Sequence, residues 1–135
     1  YANCGEPPLH HFMCDQRVAT AGRKAIFEEL LLRTEIKTSV LTNLMARERW
    51  DLFFAVYGDA HCAAHQLWPA RENGKLVSSV DGLSEPWEPL RRLYVKIDEG
   101  IGALVADAGR DADIILFTSH GVGFYLGGPQ LLPEI

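Results

Sequence analysis

An α/β fold with a mainly parallel sheet is the class this sequence predicts, and three observations predict it. Two short, nearly continuous apolar runs, residues 50–58 and 112–118, have the length and composition of strands buried on both faces. A long helical pattern precedes the first run, and a second one separates the two. Each run ends in a small loop rich in His, Gly, Ser or Asp, where open parallel sheets gather their ligands.

Residues 1–20 mix Gly5, Pro7 and Pro8 with the adjacent His10 and His11, show no period, and read as an irregular entry segment. From about Thr20 the chain turns helical, with Ala25, Ile26, Glu28, Glu29 and the run Leu30, Leu31, Leu32 as good helix formers. Ile36, Val40, Leu41, Leu44 and Met45 continue the pattern as an apolar stripe on one face of a helix ending near Arg49. The first strand is then expected to run from Trp50 to Gly58. If residues 60–68 form a helical turn, His61 and His65 stand four apart and share a face. Residues 69–86, with Pro69, Asn73-Gly74, Asp81-Gly82 and Pro86, read as a long irregular connection that lies over the site.

Ser84 is the expected cap of the next helix, with Pro86 and Glu88 in its opening turn. Leu90, Leu93, Tyr94, Ile97, Ile101, Leu104 and Val105 form its apolar face, and Gly109 closes it. The second strand follows over residues 112–118 and leads into Ser119-His120-Gly121. Strand, helix and strand make one βαβ-like unit with a right-handed crossover.

The 135 residues suffice for one core, and a 47% hydrophobic content is that of an ordinary globular domain, so residues 1–135 read as a single domain. A formal net charge of −5 leaves no basic stripe for a nucleic-acid backbone, which excludes a nucleic-acid polymer as the expected partner. No apolar run approaches the ~20 residues of a membrane helix. Cys4, Cys14 and Cys62 are too few and odd in number for a disulfide framework, which points to a reducing, cytoplasmic compartment. Tyr1 in place of Met implies that something was removed or that the chain is a segment of a longer protein.

The chemistry is expected at the strand ends. Imidazole suits zinc and similar ions, and a catalytic zinc takes about three protein ligands with one position open. His61, His65 and His120 supply that number, with Asp59 as an oxygen ligand or as the carboxylate that orients an imidazole. Cys62 would point off the shared face. Plainer readings stand beside this one: His65 as a hydrogen-bonded residue under the indole of Trp68, and His120 as part of the turn before Gly121. Asp98 reads as a solvent-facing helix carboxylate. Gly121, Gly123, Gly127 and Gly128 lack the Lys and Ser/Thr of a phosphate-binding loop.

The order of a buried strand, Asp59-Ala60-His61-Cys62-Ala63-Ala64-His65, then Tyr94 to Gly102, then Ile114 to Gly123 resembles the type I phosphodiesterase and nucleotide pyrophosphatase branch of the alkaline phosphatase superfamily. The resemblance covers about residues 40–124. It implies a segment of a three-layer α/β/α fold and a metal-dependent hydrolase acting on a small phosphate- or sulfate-ester substrate. One or two divalent ions, zinc first, would be the cofactor, clamping the phosphoryl group during in-line displacement. By position, His65 matches the family's first-loop histidine and His120 its second-loop histidine.

Departures from the pattern are equally specific. His61 stands where the family has a metal-binding aspartate, Ala64 replaces a glycine, Ser119 replaces a second aspartate, and Val122 replaces a methionine. Two anionic ligands thereby become neutral, which weakens charge compensation for two divalent ions. Asp59 restores one carboxylate, or a single ion suffices. The nucleophile and a further histidine of the family find no counterpart, so the resemblance implies the middle of a larger enzyme, inactive by itself. The competing expectation is a non-catalytic relative that keeps the fold as a binding or interaction module.

Overall fold

The computed structural model describes residues 20–118 and Gly121. In chain order they form helix α1 (Thr20–Met45), helix α2 (Asp59–Leu67), strands β1 (Ala70–Glu72) and β2 (Lys75–Val77), and helix α3 (Glu88–Ala108). The three helices pack on one another around a core of Ile26, Phe27 and Leu30 from α1, Ala63 and Leu67 from α2, Val80, and Leu90, Leu93 and Ile97 from α3. Among the described residues no helix is long and apolar enough to cross a membrane.

Helix α1 spans the expected region and ends four residues before Arg49. Its buried face differs from the expected one. Ile26, Phe27, Leu30 and Thr34 turn inward, whereas Ile36 and Leu44 of the predicted stripe are exposed. The inward face carries threonines because their hydroxyls are satisfied within the helix: Thr34 Oγ1 donates to the Leu30 carbonyl at 2.8 Å and Thr38 Oγ1 to the Thr34 carbonyl at 2.9 Å. A polar residue can therefore be fully buried where an apolar one was expected.

Helix α3 buries Leu90, Leu93, Ile97, Gly100 and Leu104, matching the predicted 3.6-residue period, while Tyr94 and Val105 lie exposed on its flank. Ser84 is not its cap. The chain makes a turn over residues 85–87, with the Glu88 amide donating to the Glu85 carbonyl at 3.1 Å, and the helix opens after Trp87 with Pro89 in its first turn. Gly109 closes it at φ 80°, a value an L side chain rarely adopts.

The sheet is the principal correction. Among the described residues it consists of β1 and β2 alone, antiparallel, with Ala70 opposite Val77 and Glu72 opposite Lys75. Among the described residues there is no mainly parallel sheet in three layers. The small sheet arises inside the connection expected to be irregular, because Asn73 (φ 49°) and Gly74 (φ 78°) both take the positive φ that a two-residue hairpin demands. The architecture is mixed helix and strand, so the α/β class holds only in this coarse sense.

Segments 50–58 and 112–118, predicted as the two strands of a βαβ-like unit, form no ladder among the described residues. They approach each other, with the rings of Phe54 and Phe117 6.3 Å apart. Exposure alternates along the first, where Leu52, Phe54 and Val56 face outward and Phe53, Ala55 and Tyr57 are half-buried, a period of two that belongs to extended chain. The apolar composition that signals a strand buried on both faces is thus present, and the described residues leave much of it exposed.

Candidate histidine site on helix α2

Helix α2 begins where the first apolar segment ends, and its entry is fixed from two sides. The Tyr57 hydroxyl lies 2.8 Å from Thr38 Oγ1. Because Thr38 Oγ1 gives its one proton to the Thr34 carbonyl, the tyrosine donates here. Gly100 of α3 closes on the same point, and a Cβ there would fall 2.5 Å from Thr38 Oγ1 and 2.6 Å from the Tyr57 hydroxyl. The glycine is what allows α1, α3 and Tyr57 to meet.

Asp59 is the first residue of α2 and is fully buried. Lys37 donates to its Oδ2 at 2.5 Å, and Arg33 Nε stands 3.5 Å from its Oδ1, an ion pair too long to be a hydrogen bond. Lys37 also lies over the Tyr57 ring, 5.8 Å from its centre. Arg33 and Lys37 are one turn apart on α1, and Glu29 is one turn before Arg33. Desolvation pushes the Glu29 carboxyl above its ordinary value, and the Arg33 guanidinium partly opposes that shift.

His61 and His65 lie one turn apart on α2, as their spacing requires. Their rings are 4.6 Å apart between centroids and inclined by 68°. His61 is exposed and His65 half-buried. Cys62 is half-buried and packs against the core, off the histidine face as expected. The indole of Trp68 packs edge-on against Trp87, with centroids 5.0 Å apart.

The connection after α2 folds back onto the helix's C-terminal end. Ser79 Oγ donates to the Leu67 carbonyl at 2.7 Å, one of the last carbonyls of α2, and Val80 joins the core. The expected loop over the site is therefore a clamp on the far end of the helix, and His61 stays open to solvent.

Of the four residues singled out as ligands, the structure brings His61 and His65 together. Asp59 is engaged with Lys37 and Arg33, and His120 lies outside the described residues, as do His10, His11 and Ser119. Among the described residues no three His, Cys, Asp or Glu side chains gather as a metal-binding group. Asp98 is exposed on α3, as read. Sequence reasoning passed over Lys37 and Arg33. Their spacing of four on α1 was a visible signal, but the carboxylate they meet is 22 residues beyond Lys37.

A concavity of about 480 Å³ runs between α1 and α3 and is lined by Leu31, Glu35, Arg91, Arg92, Lys96 and Glu99 among others. Lys96 pairs there with Glu35 and Glu99 at 3.7 Å each and Arg91 with Glu88 at 2.8 Å, while the Arg92 guanidinium lies over the Phe27 ring, 5.2 Å from its centre. Among the described residues no histidine lines it. Compared with known proteins, the chain matches no family model, no curated protein and no solved structure.

Proposed function

We propose that this chain belongs to a metal-dependent hydrolase of phosphate esters, phosphodiesterase or nucleotide pyrophosphatase-like, with His61 and His65 as two ligands of a divalent ion. The observation that carries the reading is the histidine pair itself: two imidazoles 4.6 Å apart on one helix turn, one of them open to solvent. Paired imidazoles at this spacing fit zinc and its first-row neighbours. The pair lies on the helix that begins just beyond an apolar extended segment.

His120 is the third ligand in this reading, and the substrate is a small phosphate or sulfate ester. A bound divalent ion would supply Lewis-acid stabilisation of charge on the ester oxygens. The chain's own part is to hold the imidazoles in register on one helix turn. Asp59, with its carboxylate held by Lys37, supports the pair from beneath rather than joining it.

Zinc titration of the full chain tests this. Wild type is expected to bind zinc, and His61→Ala, His65→Ala and His120→Ala each to weaken binding by about tenfold or more, the equivalent of ~1.4 kcal/mol. Unchanged affinity in His61→Ala and His65→Ala would sink the proposal. The replacement of two family aspartates by His61 and Ser119 favours a second reading, a non-catalytic relative serving as a binding module. Absence of both zinc binding and zinc-dependent thermal stabilisation in the purified protein would select it.

A further inference from the structure

We propose that Asp59 is a positioning residue: clamped by Lys37 and Arg33, it holds the first turn of α2 and thereby keeps His61 in register with His65. The inference rests on the histidine-pair reading for its functional meaning, and on the ion cluster for its substance.

Helix α2 has nine residues, well below the ~12 to 15 at which an isolated helix becomes marginally stable. Its Gly58 cap supplies no side-chain hydrogen bond. The turn that carries His61 depends on two backbone bonds to the Gly58 carbonyl, from the His61 amide at 3.1 Å and the Cys62 amide at 3.3 Å. Asp59 is the single acidic group of that turn, with the sign that suits a helix start. At 0% exposure its carboxylate requires cationic partners, and α1 delivers both. The cluster ties the open end of α2 to the longest helix of the molecule. The other end is held independently by Ser79.

A ligand role and a positioning role for Asp59 predict opposite signs. Were Asp59 a ligand, Lys37 would be its competitor, and removing the ammonium would release a carboxylate and tighten zinc. As a clamp, removing Lys37 loosens the turn, displaces His61 and weakens zinc.

Amide hydrogen exchange and zinc titration of the full chain, with Lys37→Met, Lys37→Arg and His61→Ala, decide the matter. In Lys37→Met the Cys62 amide is expected to lose protection while the Leu93 and Ile97 amides of α3 keep theirs. Zinc affinity should fall about tenfold, the size of effect that outer partners of metal ligands show, and approach that of His61→Ala. Lys37→Arg should restore both. Tighter zinc in Lys37→Met, unchanged Cys62 protection, or simultaneous loss of α3 protection would each overturn the proposal. Failure of wild type to bind zinc would instead remove the histidine-pair reading, and the exchange measurement would still decide whether Asp59 clamps the turn.

Discussion

Two buried carboxylate oxygens, Glu29 Oε1 and Asp59 Oδ1, flank Arg33 without accepting a hydrogen bond. They differ in their cationic partners. Asp59 has Lys37 on its other oxygen, while Glu29 has the more distant help of Arg33, which burial outweighs. An acid whose folded pKa is raised binds more protons in the folded state, so stability falls as pH rises from the ordinary value of 4.5 through the raised one. Glu29→Gln is therefore expected to raise the melting temperature at pH 7. The gain should vanish once the pH is below the ordinary glutamate range, a trend that melting curves at stepped pH would reveal. A gain that persists in acid would show that packing rather than charge sets it. The pairing of Asp59 was the part of the site least legible in sequence, because its cations sit on an element a whole segment away. The histidine pair was readable, since spacing of four on a helix is a local property.

At the scale of elements, the close approach of α1, α3 and Tyr57 turns on the absence of one methyl group. Gly100→Ala would drive a Cβ to within 2.6 Å of both the Thr38 and the Tyr57 hydroxyl oxygens, and neither can step aside without giving up their mutual hydrogen bond. Destabilisation of about 1–3 kcal/mol is expected, the usual cost of overpacking, read as a lower midpoint in urea. Tyr57→Phe in the same background should recover part of it. Helix α3 was legible because the 3.6-residue period survives in Leu90, Leu93, Ile97 and Leu104, and the extent of α1 because good helix formers run on from Thr20. The inward face of α1 was not, because Thr34 looks polar until its internal hydrogen bond is known. The hairpin was missed although Asn73-Gly74 was seen, since its strands are only three residues each and carry Arg71, Glu72 and Lys75 instead of an alternating apolar pattern.

For the molecule as a whole, apolar composition predicted burial that the described residues do not provide. Leu52, Phe54, Ile115, Leu116 and Phe117 are 66–84% exposed on two adjacent segments, a patch of the kind that binds partners or promotes aggregation. The full chain is expected to enhance the fluorescence of an apolar dye, and Phe54→Lys with Ile115→Lys to suppress that signal without lowering the melting temperature. A dye signal that survives both substitutions would place the exposed surface elsewhere. Residues 50–58 and 112–118 could be read as extended chain, because run length and composition are local. Whether they pair depends on neighbours in space, which no window of sequence contains.

The edge-on pair of Trp68 and Trp87 stands at the two ends of the connection that carries the hairpin, one closing α2 and the other opening α3. Two indoles at 5.0 Å couple their electronic transitions, so the molecule carries its own optical gauge of whether that connection is closed. Near-ultraviolet circular dichroism can follow the gauge as ions or esters are added, with no label attached.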